Sequence, residues 1–549
     1  MSSKRSQKTN KKEKGSKSLS SFPPMLLCIL GILLLTILNL YLRPLWPIDE
    51  TRYASVAWEM WNKKEFLVPQ LNGQPYSHKP PLLFWFIHLG WTVFGVVEWW
   101  PRILPGLFGI VNLFLIRRLA HTFFTSVSGH VVLIFSSMFM FLFFSITLMF
   151  DMLLMCFVSL AYLSLFSIHE KKSAILTFGL AIGLGILTKG PVMILHVLPF
   201  AILYPLILGL KDIKVKTYYF RLFLGTLMGI LISLCWAISA SIKGGDFYRK
   251  EILWGQTAGR IAKSFAHSKP WWYYLLTLPL ILLPWTGAFV LWIRNFANLF
   301  REKGIWVLTS WAILTTICFS FISGKQMFYI MPILIPMAII IAKSLSIKEL
   351  TVVDQMIVNV TYLFFGITLT TLSFLVDKFN LPTIFETYKF FYGLPLIVFS
   401  LLLIFYFPKK QGYQAMLIFI QSLLLFSMLL CGPVRHISKE YDLKEVSLML
   451  SRLEGNGYQI IHVGKYHGEY HFLGRLVTSF TQVDESLLPQ LLTDPKKVAV
   501  WVLKDPTKAT KFHVIYHRHY AGKHLFLVGS QKHPLGAKEF LDMSPEKSI

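Results

Sequence analysis

Apolar residues in this chain gather into long runs separated by short polar breaks. Residues 24–42 are the first such run, and their length suits a helix crossing a hydrocarbon layer of about 30 Å. Further runs lie near 103–116, 129–147, 151–168, 174–188, 191–209, 222–241, 272–293, 304–322, 327–342, 355–376, 388–407 and 413–431. The stretch 81–97 is ambiguous. Pro80 and Pro81 open it, and Trp85, His88, Trp91 and Glu98 interrupt its apolar character, so it reads either as a span or as a helix lying in the membrane interface.

Charge separates the two readings. With 81–97 on the surface, Arg117-Arg118, Lys171-Lys172, the run at 211–221, the stretch from Arg294 to Lys303, Lys343, Lys348 and Lys409-Lys410 all fall on the side of the Lys-rich N-terminus. That is the positive-inside pattern without a break, and treating 81–97 as a span would reverse every cluster. The expectation is about thirteen spans within a membrane domain at 23–431. Residues 1–22 form a disordered basic cytoplasmic tail, followed by an uncleaved signal anchor. One long external loop covers 43–101 and another 242–271. After Cys431 the chain turns ordinary and polar. Helical periodicity at Asp442–Leu453 and strand-like runs at Tyr458–Val463, Val498–Leu503 and Lys523–Val528 predict a small external α/β domain at 432–549.

Composition agrees. The chain is 54% hydrophobic and 15% charged, too few charges to cover a water-facing surface, which excludes a soluble enzyme. Its net charge of +26 would suggest nucleic acid in a soluble protein, but the topology accounts for it, and no nucleic-acid partner is expected. The cysteines (Cys28, Cys156, Cys235, Cys318, Cys431) lie in or beside apolar runs without metal-ligand spacing.

External loops should be poor in cations, so those present there call for an anionic ligand. The first loop holds Asp49, Glu50, Arg52 and Tyr53, then Tyr76, His78 and Lys79. Asp151 and Lys189 follow at loop edges. Arg260 and His267 lie in the 242–271 loop, and Lys325 and Tyr329 come after the next span. Acids and bases gathered at one membrane face point to chemistry on a phosphate-bearing lipid.

The ordered motifs DETRYASVAWEM, LNGQPYSHKPPLLFW, LTKGP, SKPWWYYLLTLPLILLPWT and SGKQMFYIMPILIP, spread over roughly residues 40–345, resemble the bacterial protein O-mannosyltransferase-like membrane glycosyltransferases, the family that includes the lipid A aminoarabinose transferases. The resemblance implies a polytopic α-helical membrane protein with the C-type glycosyltransferase fold, about thirteen transmembrane helices and a small C-terminal α/β periplasmic domain. It implies a bacterial inner-membrane location with a periplasmic active site. The donor would be an undecaprenyl-phosphate sugar, aminoarabinose or a related one, and the acceptor lipid A or another envelope glycolipid. It puts Asp49 at the family's essential first-loop acid, Lys79 at its lysine before the proline pair, Asp151 at a second acid, and Lys189, His267 and Lys325 at polar loop positions facing the cavity. This chain departs from the family at His78, where many members carry an acid implied in some relatives to help hold a metal. Asp49 and His78 are the candidate ligands for a divalent ion, Zn or Mg.

Transfer from a polyprenyl phosphate leaves negative charge on the departing phosphate, which fixed cations stabilise. Arg52, Tyr53, Tyr76, Lys79, Lys189, Arg260 and Lys325 are the donor-side candidates. Asp151, His267 and Tyr329 are the polar cavity candidates. Asp49 is a general base for a hydroxyl acceptor. For a phosphate acceptor, already ionised, it orients the acceptor or stabilises the cationic sugar. Each residue also has a plainer reading: Asp49 and Asp151 as helix caps, Tyr53 and Tyr76 as interface aromatics, Lys189 as a snorkelling lysine, His267 as a loop histidine. Two other functions stay open: a transferase acting on protein or polysaccharide, and a transporter of polyprenyl-linked sugars.

Overall fold

The computed structural model describes residues 24–209, 214–259, 268–372, 390–406 and 411–530. The basic N-terminal tail lies outside them. The chain is a multi-pass membrane protein. Among the described residues seven helices are long and apolar enough to cross a bilayer, with five shorter apolar helices between them. The first is α1 (Pro24–Leu42), which spans about 28 Å at 1.5 Å per residue. Proline opens it and Arg43-Pro44 follows its last turn. One stripe of α1 is exposed (Leu26, Leu30, Leu33, Leu34, Ile37) and the opposite stripe is buried, as a lipid-facing helix requires.

The first loop is built rather than open. It holds α2 (Asp49–Asn62), a short hairpin β1 (Gln70–Leu71) and β2 (Gln74–Pro75), and α3 (Leu82–Phe94). At 13 residues α3 is about 20 Å long, short for a span. It buries Leu83, Phe84, Ile87 and Trp91 while exposing Leu89 and Val93, and His88 Nε2 lies 2.8 Å from the Ala57 carbonyl of α2. Next come α4 (Trp99–Phe123), the pair α5 (Val131–Ser137) and α6 (Phe139–Ser145), α7 (Asp151–Leu165), α8 (Ser173–Lys189), α9 (Val192–Leu208) and α10 (Val215–Lys250). The apolar run at 129–147 is thus two helices broken at Met138, whose ψ of 127° is extended. The run at 272–293 is likewise divided between Tyr273–Ile281 and Phe289–Leu299. Much of the 242–271 loop is helical: α10 continues through a kink at Gly245 into a π-helical turn at Glu251–Gly259.

Small residues set the contact between α8 and α10. Gly179 and Gly183 of α8 face Gly225 and Gly229 of α10, and a Cβ on Gly183 would stand 3.0 Å from the Gly229 carbonyl oxygen. Without a hydrophobic drive inside lipid, this backbone approach brings dispersion contacts that larger residues would prevent.

The last membrane helix, Gln411–Leu429, runs through a turn at Gly432-Pro433 into Arg435–Tyr441 and the C-terminal domain. That domain has a five-stranded mixed sheet of order β4-β3-β5-β7-β6, built from β3 (Gln459–Val463), β4 (Thr481–Val483), β5 (Lys497–Leu503), β6 (His513–Tyr520) and β7 (Lys523–Gly529). The helix Lys444–Gly455 buries Val446, Leu450 and Leu453. The predicted helix and three strands are all present, and β4 and β6 are additional. The domain docks on the first loop. Asn72 exchanges two hydrogen bonds with the Phe480 backbone, at 2.9 and 2.7 Å, and Trp58 Nε1 donates to the Leu476 carbonyl at 2.7 Å.

Candidate active site

Asp49 is the first residue of α2, and the cap position is Ile48. Its side chain makes no capping hydrogen bond. Instead Asp49 Oδ1 accepts from Arg52 Nη2 at 2.8 Å and from the Tyr53 hydroxyl at 3.4 Å, while 52% of its side chain stays exposed. Its neighbour Glu50 points the other way and is buried. Both Glu50 oxygens are gripped by Arg43, at 2.6 and 2.8 Å, and they also accept the backbone N–H groups of Trp46 and Leu148 at 2.8 and 2.7 Å. Arg43 further donates to Asn39 Oδ1 at 2.7 Å and to the Ile146 carbonyl at 3.0 Å. Arg102 of α4 donates to the carbonyls of Asn39 and Arg43. Glu50 therefore fastens the start of α2 to the segment leading into α7.

That segment ends at Phe150, and Asp151 is the first residue of α7. Lys189 is the last residue of α8, where Gly190 at φ +78° ends the helix. Helix dipoles favour an acid at the first place and a cation at the second. The two meet: Lys189 Nζ lies 2.5 Å from Asp151 Oδ1, with both side chains nearly inaccessible. Asp151 Oδ2 is buried and has no hydrogen-bond partner among the described residues, nor has Arg52 Nε. One polar cluster thus leaves both an acceptor and a donor unsatisfied by the described residues. Lys189 Nζ also stands 5.2 Å from the ring of Phe328 and 5.1 Å from that of Tyr329.

Phe150 joins this pair to the first loop. Its ring meets Tyr53 edge-on at 4.9 Å, and Lys79 Nζ lies 5.9 Å over it. Tyr76 packs against His78 at 5.2 Å and against Phe84, which also touches Phe150. Burial, and then the negative fields of Tyr76, Asp49 and Asp151, hold the Tyr53 hydroxyl well above its ordinary pKa, so it remains a donor. Asp49, Arg52, Tyr53, Tyr76, His78, Lys79, Asp151, Lys189 and Tyr329 are thus brought together from the starts of α2 and α7, the end of α8, the 76–79 turn and the Met327–Ile333 segment. Lys325 is bonded differently: its ammonium donates to the carbonyls of Lys269 at 2.9 Å and Ile322 at 2.5 Å, tying the 268–270 segment to the 321–326 turn. Arg260 and His267 lie outside the described residues. The end of α10 reaches the first loop through an ion pair of Lys243 with Glu65 and a 2.9 Å bond from Trp236 Nε1 to the Leu67 carbonyl.

Among the described residues no group of three or more His, Cys, Asp or Glu side chains is placed to hold an ion. Asp49 is engaged by a guanidinium and a phenol, and His78 by Tyr76, so no step is assigned to a metal. The chain's pattern gives no site role to Arg43, Phe150 or residues 464–469. Glu50 is adjacent to Asp49 in the motif, and only burial tells the two acids apart.

The resemblance carried by the motifs is borne out by comparison with known proteins. Residues 78–236 match the family described as dolichyl-phosphate-mannose-protein mannosyltransferase. The undecaprenyl phosphate-alpha-4-amino-4-deoxy-L-arabinose arabinosyl transferase of Edwardsiella ictaluri is 29% identical over 314 residues, covering 55% of each chain. The Pseudomonas aeruginosa (strain LESB58) protein of that name is 30% identical over 331 residues, covering 57% of this chain and 59% of its own. The match thus spans somewhat over half the length of these relatives. In three dimensions the chain superposes on ArnT from Cupriavidus metallidurans bound to undecaprenyl phosphate with a TM-score of 0.74 at 18% identity, covering 92% of this chain and 98% of that one. The chain has the C-type glycosyltransferase fold of a multi-pass membrane protein, shared over almost its whole length with the Cupriavidus protein.

Proposed function

We propose that this protein is an inverting membrane glycosyltransferase that moves a sugar, aminoarabinose or a close relative, from undecaprenyl phosphate to a phosphate of lipid A or another envelope glycolipid. The observation that carries the reading is the convergence of Asp49, Arg52, Lys79, Asp151 and Lys189 in a fold shared with a protein solved with undecaprenyl phosphate bound. The positive-inside pattern supports a site on the outer face of the bacterial inner membrane.

In this reaction the bond from the anomeric carbon to the donor phosphate oxygen breaks, and its electron pair stays with that oxygen. An acceptor oxygen forms the new bond on the opposite face of the sugar. Cations fixed before the reaction stabilise the charge that grows on the leaving phosphate. Lys189, held in place by Asp151, with Arg52 and Lys79, supplies them. A phosphate acceptor arrives ionised, its second pKa being about 6, so Asp49 has no proton to remove. The exposed carboxylate then orients the acceptor, stabilises the cationic sugar, and suits an amine on that sugar. The description of the matched family names a protein acceptor, which supports a second reading with a serine or threonine hydroxyl. Asp49 is then a general base.

Mass spectrometry separates these outcomes. Purified protein incubated with undecaprenyl-phosphate aminoarabinose and lipid A should add the sugar's mass to a lipid A phosphate, and Asp49→Asn should abolish the increment. A donor left intact with every acceptor offered, lipid or protein, would overturn the transferase reading.

A further inference from the structure

The C-terminal domain touches the first loop at one place of particular interest. Between β3 and the short helix His471–Gly474, residues 464–469 form a tight connection bracketed by Gly464 at φ +82° and Gly468 at φ +89°. Gly468 is pressed onto α2: a Cβ there would stand 3.2 Å from Arg52 Cα and 2.8 Å from Leu71 Cδ1. Only glycine fits, for both conformation and space. The Gly468 carbonyl accepts from Ser55 Oγ at 2.7 Å, and the same hydroxyl accepts the Phe472 N–H at 3.0 Å. The connection is braced internally. His467 N–H donates to Glu469 Oε2 at 2.8 Å, Tyr466 N–H donates to Gln482 Oε1 at 2.8 Å, and the buried Tyr466 hydroxyl lies 2.5 Å from His471 Nδ1.

The segment that meets Arg52 is therefore rigid, and it presents Lys465, which is exposed, and His467, which is half-buried, on either side of the buried Tyr466. Arg52 itself has a buried Nε with no partner among the described residues. Burial and the positive charges of Arg52 and Lys465 lower the pKa of the His467 imidazole, while Asp49 pulls it the other way, so His467 shares the electrostatic field of the Asp49–Arg52 pair. Arg52 and Lys465, from the two domains, thus both act on His467, with exposed Asp49 and buried Glu469 as the acids of the same contact.

We propose that the C-terminal domain completes the active site: residues 464–469 form its wall beside Asp49 and Arg52, and Lys465 with His467 binds a phosphate group of a substrate there. The inference rests on the glycosyl-transfer reading. The phosphate is that of the polyprenyl donor or that of a phosphorylated acceptor lipid, and kinetics distinguish the two.

The test uses the full-length protein in detergent, comparing wild type, Lys465→Ala, Lys465→Arg and the double variant Lys465→Ala/His467→Ala. The double variant should raise KM for one phosphate-bearing substrate about tenfold, the loss of a charge-assisted contact, with kcat nearly unchanged and Lys465→Arg close to wild type. A rise confined to the acceptor identifies the acceptor phosphate, and one confined to the donor identifies the donor phosphate. Unchanged KM for both substrates would overturn the proposal. Thermal unfolding monitors folding, and if the double variant unfolds, exposed Lys465→Ala decides by the same criterion. A wild-type protein that transfers no sugar would defeat the functional reading instead. Titration with undecaprenyl phosphate and with lipid A then decides the wall alone, equal affinities of wild type and variant for both counting against it.

Discussion

Asp151 and Lys189, 38 residues apart, form a buried ion pair of 2.5 Å between the start of α7 and the end of α8. Removing one partner leaves the other charged and buried, which typically costs about 3–5 kcal/mol. Asp151→Asn and Lys189→Met should each lower the unfolding temperature in detergent, and the double variant should recover much of that loss. Sugar transfer should stay abolished in all three. A double variant that regains transfer would reduce the pair to a structural clamp.

Adjacent acids should behave oppositely. Asp49 is half exposed and holds no helix end, whereas Glu50 is buried under Arg43 and two backbone N–H groups. Asp49→Asn should reduce kcat by about 100-fold or more at unchanged stability. Glu50→Gln should destabilise the protein by about 2–4 kcal/mol, because Arg43 loses its charged partner. Thermal unfolding measured beside transfer rates checks the contrast, and equal unfolding temperatures for the two variants would contradict it.

The α8–α10 contact offers a test remote from the chemistry. Gly183 lies against Ile232 and the Gly229 carbonyl, so Gly183→Leu wedges backbone from backbone. A loss of about 1–3 kcal/mol is expected, with a fall in transfer as Lys189 at the end of α8 is displaced. Wild-type stability and activity in this variant would show that the helices separate without cost.

Stability should also depend on acid. Burial lowers the pKa of His462 in the C-terminal domain from 6.5 to about 4. The unfolded chain therefore takes up a proton that the folded one refuses. The stabilisation is complete above pH 6.5 and is lost as pH falls towards 4, by about 3 kcal/mol at most. Unfolding temperatures recorded across that window should decline, and His462→Phe should flatten the decline. An unchanged slope would assign it to other groups.

Chelation bears on the metal expectation. With Asp49 held by Arg52 and Tyr53, and His78 against Tyr76, transfer should survive EDTA. Activity lost on chelation and restored by Zn or Mg would place an ion in the reaction.

Much of this architecture was legible in the chain. Hydropathy is a local property, so runs of apolar residues located nearly every membrane helix, and the asymmetry of Lys and Arg put 81–97 outside the count of spans. The breaks at Met138 and within 272–293 were not legible, because an apolar run looks alike whether its helix is whole or divided. Strand β4 has only three residues, and β6 is an edge strand of alternating polar residues, HVIYHRHY, which hides its strand character.

By itself the sequence determined the class of the molecule, its division into membrane and C-terminal parts, and the residue types available at one face. It did so because composition and periodicity respond to solvent alone. Tertiary packing decided which of two adjacent acids faces the site, that Asp151 pairs with Lys189, and that a loop more than 400 positions along the chain, through Gly468, rests on Ser55 and Arg52. Such contacts depend on how distant segments fill shared space, and a local pattern does not encode that.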